Sequence, residues 1–329
     1  MIIDVHNHLY PPEYLEQLEK LANFSTHTDD NGNKFIADQG SRIVTLTEQM
    51  VDVNARLSEM DQFGVNVQVL SLSIPNTYFT DSGAAVELAV MSNNYYAGVH
   101  KTYPDRFWCL ASVPLPHVDE AIQEMERALI KLKMNGLILG TNILGKYLDE
   151  ASFAPFFERA DQLNATILLH PMSPVGVEHM NDYGLAPLVG FVFDTTTTVA
   201  RMLFSGFLER YPNIKFILPH LGGTVPYLFG RWEIGWRAYP ECRNRMQSPP
   251  LDILRRLNYD VVSLHEPSLM CAYHSVGVDK LLFGTDYPHV IGDTAQTIAS
   301  IEGLNIPIDE KDQIFAQNAL RLLNNTRSI

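Results

Sequence analysis

Short apolar segments rich in β-branched residues recur along the chain at wide intervals. Most of them are followed by an amphipathic segment in which apolar residues repeat with helical spacing. Strands that alternate with helices in this way pair in parallel. The segments that predict strands are eight in number: residues 2–5, 65–73, 107–115, 136–140, 165–170, 214–220, 259–263 and 280–286.

Three of the intervening segments carry the clearest helical pattern, namely residues 51–64, 117–136 and 194–212. The third is expected to begin at Asp194 or at the threonine after it, because both residue types cap helix N-termini. A last helix is expected over residues 309–323, followed by a polar tail at 324–329.

Eight such units in 329 residues predict an α/β protein, a (β/α)8 barrel of the TIM type that forms a single domain over residues 1–329. The alternative is an open doubly wound sheet, but no G-x-G-x-x-G follows the first strand and no P-loop occurs. Residues 21–45 contain the turn-forming sequence DDNGNK and predict a small hairpin insertion after the first strand. Such an insertion would lie near the mouth of the barrel, where active sites of this fold are built.

Composition limits the partners and the compartment. With a formal net charge of −14, the chain is not expected to bind nucleic acid or an anionic membrane, since both require a dense basic surface. Three widely spaced cysteines without a Cys-x-x-Cys pair indicate reduced thiols. No secretory signal and no run of about 18 apolar residues is present, and we therefore expect a cytoplasmic protein.

Four predicted strands end in side chains that bind metals. His6 and His8 follow the first strand and project to the same side, because residues i and i+2 of a strand share a face. His170 ends the fifth strand, His220 the sixth and Asp286 the eighth. Any one of them alone would fit a structural role, but the carboxyl ends of barrel strands converge on one mouth. Imidazoles with a carboxylate suit Zn²⁺, and Fe²⁺, Co²⁺ or Mn²⁺ are possible.

Several sequence segments resemble the amidohydrolase superfamily. These are DVHNH at the start, ARLSEMDQFGV in the first long helix, HP after the fifth strand, FLERYPNIKFILPHLGGTVPYLFGR across the sixth and FGTDYP at the eighth. Together, and in this order, they resemble the branch of metal-dependent nonoxidative decarboxylases typified by aminocarboxymuconate semialdehyde decarboxylase.

The resemblance implies roles for particular residues. His6, His8, His170 and Asp286 would bind one divalent metal, and His220 would act as general acid/base beside it. Asp286 would also take part in catalysis, and Arg42 would bind the carboxylate of the substrate. Alternatives stay open: His220 could be a further ligand or a hydrogen-bonding support, and Arg42 a solvated loop charge. No lysine lies near the end of the fourth strand, and a mononuclear site is therefore expected.

The resulting hypothesis is a carboxy-lyase that acts on a small planar unsaturated or aromatic carboxylate, such as a carboxymuconate semialdehyde or a hydroxybenzoate. One alternative is a metal-dependent hydrolase or hydratase, for example one that opens lactones. A noncatalytic binding protein on the same barrel is disfavoured because the ligand set is complete. The resemblance also implies a homodimer, and residues 223–237, with two tryptophans, are a candidate interface.

Overall fold

The computed structural model describes residues 1–21, 23–30, 32–38, 41–174, 176–180 and 182–323. The polar tail expected at 324–329 lies outside these ranges. Within them, eight parallel strands form one sheet in which neighbours in the sheet are also neighbours along the chain. These barrel strands, called the first to the eighth below, are Ile3–His8, Val67–Ser71, Phe107–Ala111, Gly136–Gly140, Thr166–His170, Lys215–Leu218, Asn258–Asp260 and Leu281–Leu282.

Backbone hydrogen bonds close this sheet into a barrel. The first strand bonds to the chain that follows the eighth strand: Val5 N donates to the Phe283 carbonyl at 3.0 Å, and His8 N donates to the Tyr287 carbonyl at 2.7 Å. Asp286 N donates in return to the His6 carbonyl at 2.8 Å. The predicted (β/α)8 barrel is therefore confirmed, and the open doubly wound sheet is excluded.

Helices surround the barrel, and aspartates fix the start of several of them. Asp52, Asp81 and Asp293 each accept a hydrogen bond from a backbone N–H of the following helix, which satisfies a donor that the helix itself leaves free. The α-helices are Pro12–Leu18, Val53–Phe63, Ser82–Thr102, Val118–Glu126, Ala154–Gln162, Phe191–Phe204, Phe207–Arg210, Val225–Ala238, Pro250–Leu254, Glu266–Val276, Thr294–Glu302, Ile308–Asp312 and Asn318–Leu323.

The prediction for the helix at 194–212 was wrong about its start and its continuity. The helix runs over Phe191–Phe204, and Asp194 lies buried in its first turn and does not cap it. The carboxylate of Asp194 instead accepts hydrogen bonds from the Thr141 hydroxyl and, at 3.4 Å, from Met172 N, both beyond barrel strands. A second short helix, Phe207–Arg210, follows a break in which a left-handed glycine prevents continuation.

Apolar side chains from most barrel strands meet inside the barrel. Bulky residues fill its lower part, and the last helical segment of the described chain covers that end with Ala316, Ala319, Leu322 and Leu323. This interior is a packed core and not a channel, as is usual for the fold. Its strand residues are Ile3, Val5, Val67, Val69, Trp108, Leu110, Ile138, Leu168, Ile217 and Leu282.

A β-bulge in the first strand changes which side chains face inward. Ile3 pairs with Val67 and His8 pairs with Ser71, so that one extra residue is inserted between Asp4 and Asn7. Before the bulge, Ile3 and Val5 face the apolar interior. An extra residue reverses the alternation of side chains. After the bulge, His6 and His8 therefore face inward as well, directly above the apolar layer.

The insertion between the first strand and its helix has one more strand than the predicted hairpin. Phe24–Thr28, Lys34–Asp38 and Ser41–Leu46 form a three-stranded antiparallel sheet. Ile36 and Val44 attach this sheet to the main hydrophobic core. The sheet stands beside the carboxyl ends of the barrel strands, where it contributes to the wall of a cavity described below.

We expect Ile138→Ala, which empties space inside the barrel, to lower the free energy of unfolding by about 2–5 kcal/mol, because a buried side chain is lost and a cavity remains. Urea denaturation followed by circular dichroism measures the change. Ile308→Ala is the matched control, since the Ile308 side chain is 74% exposed. Equal stabilities for the two variants would contradict the assignment of Ile138 to the packed interior.

Candidate metal centre and active site

Four buried side chains meet above the apolar interior. His6, His8, His170 and Asp286 each offer one ligand atom, and these atoms all lie within 4.8 Å of one another. We call these four residues the ligand cluster. The Nε2 atoms of His6 and His8 are 3.1 Å apart, and Asp286 Oδ1 lies 3.2 Å from the former and 3.3 Å from the latter. The structure thus brings together all four ligands expected from the sequence.

The hydrogen bonds of the outer ring nitrogens orient the three imidazoles. His6 Nδ1 donates to Asp260 Oδ2 at 2.6 Å, and His170 Nδ1 donates to the Pro171 carbonyl at 3.0 Å. His8 Nδ1 lies 3.2 Å from Ser71 Oγ, whose own hydrogen is donated to the Asn7 carbonyl. The Ser71 hydroxyl therefore accepts from His8.

All three Nδ1 atoms consequently carry the ring proton, and all three Nε2 lone pairs face the centre of the ligand cluster. Fixing the tautomer through the far nitrogen is the usual support for a metal-binding histidine. Asp286 Oδ1 is buried and accepts no hydrogen bond from the described groups. When all three rings are neutral, these lone pairs converge on one point, and a cation can bind there.

The spacing of the donor atoms also fits a small divalent ion. With metal–ligand bonds of about 2.1 Å, the edges of a tetrahedral site are about 3.4 Å long. The separations of 3.1–3.3 Å among His6, His8 and Asp286 match that value. The donor set of nitrogen and carboxylate oxygen suits borderline metals. The ligand cluster is therefore a site for one divalent metal.

The electrostatics of the ligand cluster favour deprotonated ligands at most positions. Burial lowers the pKa of His8 to about 3 and holds the pKa of His170 well below its usual value. Burial opposes ionisation of Asp286, but the adjacent His6 holds the pKa of Asp286 well below its usual range. His6 is the exception, because the carboxylates of Asp286 and Asp260 outweigh its burial and raise its pKa to about 10. His6 therefore exchanges its second proton for the metal.

His220 lies beside the ligand cluster but outside it. Its Nε2 is 3.4 Å from Asp286 Oδ2, and its ring centroid is 5.3 Å from that of His6. Its Nδ1 is buried and has no hydrogen-bond partner among the described residues. His220 thus lies next to the ligand cluster, and its role as general acid/base stays a prediction.

A tight left-handed turn aims His220 at the ligand cluster. His220 and Leu221 have φ angles of 51° and 57°, and two glycines with positive φ follow. A Cβ atom at Gly223 would lie 2.4 Å from the Val192 carbonyl, so that only glycine fits there. The chain accepts an unfavourable backbone conformation at the place where a polar side chain must enter the site.

A cavity of about 1130 Å³ opens above the ligand cluster. His170, His220 and Asp286 form part of its floor. Its walls are mainly apolar and come from the insertion sheet and from the segments after the second, fourth, fifth and eighth strands. The residues on these walls include Phe24, Ile43, Ile74, Tyr78, Phe79, Met172, Pro174, Phe191, Val290 and Ile291.

Arg42 lines the same cavity from the insertion sheet, but its guanidinium has other partners. Nη1 lies 3.0 Å from Asp29 Oδ2, and Nη2 donates to Thr45 Oγ1 at 2.6 Å. The side chain is 41% exposed and also covers the ring of Phe35. The structure thus places Arg42 at the cavity wall and not in contact with the ligand cluster.

Sequence reasoning missed several residues that support the ligands. Asp260, at the end of the seventh strand, holds His6 and also accepts backbone N–H bonds from Leu221 at 2.9 Å and Val262 at 3.0 Å. The rule that strand ends carry the site would have found it. Asp4 accepts from the Thr285 hydroxyl at 2.8 Å and joins the first strand to the segment that carries Asp286.

Two further residues were also missed. Arg56 is fully buried in the helix Val53–Phe63. Its guanidinium donates to the His8 carbonyl and covers the ring of Tyr287 at 4.8 Å, so that this helix contacts both segments that close the barrel. His289 lies three residues after Asp286, and its ring centroid is 5.0 Å from that of His8. Burial lowers the pKa of His289. The sequence signal that could have found His289 was its position three residues after the predicted ligand Asp286.

Comparison with known proteins agrees with this geometry. The family model described as "Amidohydrolase" matches residues 3–324, which is nearly the whole chain. The chain belongs to the amidohydrolase family. The family assignment made from the sequence is therefore confirmed. The fourth strand of this amidohydrolase, Gly136–Gly140, contains no lysine.

Named relatives of this amidohydrolase are decarboxylases. It is 30% identical to a 2-amino-3-carboxymuconate-6-semialdehyde decarboxylase of Dictyostelium discoideum, over 98% of this chain and 91% of the relative. It is 26% identical to a 6-methylsalicylic acid decarboxylase of Penicillium expansum, over 99% and 97% of the two chains.

A solved structure shares the fold. The dihydroxybenzoic acid decarboxylase of Polaromonas, crystallised with bound manganese and the inhibitor 2-nitroresorcinol, superposes with a TM-score of 0.82 at 24% identity, over 99% of this chain and 97% of that one. At this identity the similarity supports the barrel and not the chemistry.

In the described part of this amidohydrolase, no helix combines the length and apolar character needed to cross a membrane.

We expect Asp260→Asn to weaken metal binding by about 10–100-fold while the barrel stays folded. The amide can still accept from Leu221 and Val262 through its oxygen, but its NH2 group cannot accept the His6 proton. His6 would then lose the tautomer that exposes Nε2. Competition with a chromophoric chelator measures the affinity, and Asp252→Asn, at an exposed carboxylate, is the control. An unchanged affinity would show that Asp260 does not orient His6.

Proposed function

We propose that this protein is a metal-dependent nonoxidative decarboxylase of small planar unsaturated or aromatic carboxylates. The observation that carries the proposal is the position of His220, next to Asp286 at the floor of a largely apolar cavity and beside a complete set of metal ligands. The named activities of the Dictyostelium and Penicillium relatives support the reaction type.

The reaction needs a proton and a place for negative charge. The carbon that bears the carboxylate gains a proton, the carbon–carbon bond breaks, its electron pair returns to the unsaturated system, and CO2 leaves. A divalent cation in the ligand cluster supplies Lewis-acid stabilisation of the substrate oxygens. No electron acceptor is required, because the electron count of the product and CO2 equals that of the protonated substrate.

His220 is the proposed proton donor. Its pairing with Asp286 through Nε2 holds the ring at the cavity floor, and a histidine exchanges protons near neutral pH. Asp286 then has two tasks, since one oxygen faces the other ligands and the second oxygen faces His220. The apolar walls keep water away from the carbon that receives the proton.

Arg42 is the proposed partner of a substrate carboxylate or another anionic oxygen. The support is its place on the cavity wall, together with the fork geometry of a guanidinium. To act in this way, Arg42 must exchange at least one of its bonds to Asp29 and Thr45 for the substrate. The aromatic residues Tyr78 and Phe191 line the same cavity and suit a planar ring.

Hydrolysis or hydration, such as lactone opening, is the second candidate at the same metal site. A divalent cation with an adjacent acid/base could serve both reactions. The mononuclear ligand cluster and the extended similarity to decarboxylases favour loss of CO2.

Zinc is the proposed native metal. The donor set of three imidazole nitrogens and one carboxylate supports this choice, as do the separations of 3.1–3.3 Å among His6, His8 and Asp286. Mn²⁺, Co²⁺ and Fe²⁺ accept the same donors, and the manganese in the Polaromonas structure makes Mn²⁺ the first alternative to include in reconstitution.

The proposed reaction is tested with metal-reconstituted protein and a panel of carboxymuconates and hydroxybenzoates. We expect release of CO2 and a product with one carboxylate fewer, in which one solvent deuteron occupies the vacated carbon when the reaction is run in D2O.

His220→Ala should keep its metal and lose about 10²–10⁴-fold in kcat. Arg42→Ala should raise KM. Turnover of lactones without any decarboxylation in the panel would establish the hydrolase alternative.

We also propose a cytoplasmic homodimer. The three cysteines form no disulfide, which supports a reducing compartment. The helix Val225–Ala238 exposes Tyr227 and Ile234 by 83% and 64%, and Tyr239 directly after it is 58% exposed. Apolar side chains in such a row favour an interface.

We expect light scattering to give twice the chain mass of 37.1 kDa. Ile234→Lys should shift the mass toward that of one chain, because a charge would be buried in the interface. Ile308→Lys, at an isoleucine that is 74% exposed on another helix, should leave the dimer intact. A monomer at every concentration tested would contradict the dimer.

A further inference from the structure

The cavity is larger than the proposed reaction requires. Its volume is about 1130 Å³, whereas cavities that bury whole drug-sized ligands measure about 300–1,000 Å³. A hydroxybenzoate, which is one ring with a carboxylate and a hydroxyl, is far smaller than such a ligand. Held at the metal by its carboxylate, it would leave most of the cavity to water. The polar floor accounts for the reacting head of the substrate, and the remaining apolar space needs a separate explanation.

The segment after the fifth strand forms an apolar part of the cavity wall. It comprises residues 171–190, of which 175 and 181 lie outside the described ranges, and it leads into the helix Phe191–Phe204. Among its described residues, the polar side chains on the cavity are those of Ser173 and Glu178, and both are exposed. We call the apolar lining residues of this segment and of the helix start the apolar sector: Met172, Pro174, Val177, Ala186, Pro187 and Phe191.

The apolar sector is packed in the absence of a ligand. A Cβ atom at Gly190 would lie 2.7 Å from Pro174 Cγ and 2.8 Å from Met180 Sδ, so that glycine lets the end of the segment fold back onto its beginning. A Cβ atom at Gly140 would lie 2.6 Å from Met172 Cγ, which places the sector directly against the end of the fourth strand. A wall that is already packed binds an apolar group without the cost of ordering a loop.

Apolar side chains continue from the sector to the mouth of the cavity. Because the strands follow one another around the barrel, the segments after the fourth and the eighth strands face each other across the mouth. Leu144, after the fourth strand, is 50% exposed, and Val290 and Ile291, after the eighth, are 77% and 46% exposed. All three line the cavity. Apolar side chains on both sides of an opening favour an apolar ligand over water.

The polar side chains near the apolar sector are already hydrogen-bonded. Asn142 donates from its amide nitrogen to the Ser173 carbonyl at 3.1 Å, and its side-chain oxygen accepts from Gly145 N at 3.0 Å. A polar chain would have to compete with these bonds. Asp38 and Arg42 reach the cavity from the other side, on the insertion sheet. An apolar chain is therefore directed between the segments after the fourth, fifth and eighth strands and away from the insertion sheet.

We propose that the substrate is a planar carboxylate whose ring carries an alkyl or alkenyl chain of several carbon atoms. The carboxylate head lies at the ligand cluster, and the chain lies along the apolar sector and extends to the mouth of the cavity. Burial of the chain supplies binding free energy that the small head alone does not provide. This inference rests on the proposed function, because the head is anchored at the same metal, but it concerns binding and does not require turnover.

Calorimetric binding to the zinc-loaded protein tests the proposal with 2-hydroxybenzoates that carry a methyl, propyl, pentyl or heptyl chain. One series is made for each free ring position. In at least one series, we expect the affinity to rise about two- to fourfold for each added CH2 group inside the cavity and to level off once the chain passes the mouth. The heat-capacity change of binding should become more negative as the chain lengthens. A chain of equal length that contains ether oxygens should lose most of the gain.

Variants of the wall locate the chain, and the measured quantity is the ratio of the affinities for the heptyl and methyl probes. Ala186→Phe fills part of the apolar sector and should lower this ratio by about tenfold, as the loss of a few buried CH2 groups implies. Its control is Ala299→Phe, at an exposed alanine of the helix Thr294–Glu302 outside the cavity. Ile291→Ser removes an apolar side chain from the mouth and should lower the ratio by about two- to fourfold. Its control is Ile308→Ser, at a side chain that is 74% exposed.

The outcomes distinguish this inference from the proposed reaction. A gain with chain length that Ala186→Phe removes supports the apolar chain even if no probe loses CO2, and in that case only the decarboxylase proposal fails. If the methyl probe loses CO2 while chain length has no effect on affinity in any series, the apolar chain is refuted and the decarboxylase proposal stands. A gain that Ala186→Phe and Ile291→Ser both leave intact, or failure of every probe to bind, would also overturn the inference. Metal content and melting temperature are measured for every variant, so that an empty or unfolded site is recognised.

Discussion

The structure depends on holding three imidazole nitrogens and a carboxylate oxygen within 4.8 Å of one another in a place from which water is largely excluded. Such a group repels itself unless a cation or a proton lies between its members. Hydrogen bonds from the surrounding fold hold these side chains together against their mutual repulsion. Asp260 and Ser71 hold the far sides of His6 and His8. Arg56 donates a hydrogen bond to the carbonyl of His8.

Local irregularities of the backbone do much of this positioning. The β-bulge in the first strand turns His6 and His8 inward immediately above Val5. The left-handed turn after the sixth strand brings His220 to the same point, and Asp286 itself has a positive φ of 58°. In each case the regular strand would have aimed the side chain elsewhere. The departures from ideal geometry therefore coincide with the chemistry, as expected for functional sites.

The features of the fold and the site that could be predicted are those that leave a local pattern in the sequence. Apolar periodicity located the barrel strands, since a buried parallel strand reads as a continuous apolar run. Motif order located His6, His8, His170 and Asp286. The helix start at Phe191 was missed because the bonds of Asp194 to the Thr141 hydroxyl and Met172 are tertiary and have no local pattern. Asp260 stands at a strand end, where the same rule applies, but its hydrogen bond to His6 joins the seventh strand to the first and leaves no local pattern in the sequence.

The insertion sheet and the floor of the cavity are built from separate parts of the chain. The floor consists of strand ends that the whole barrel holds in register, so that a substitution there disturbs many neighbours at once. The wall contributed by Phe24, Ile43 and Arg42 belongs to the insertion sheet, which packs on the core through Ile36 and Val44 and through Phe24 and Ile43 themselves. Changes in this wall leave the floor intact. Divergence of the family toward new ring substituents can therefore proceed by exchanging the wall while the inherited reaction chemistry is preserved.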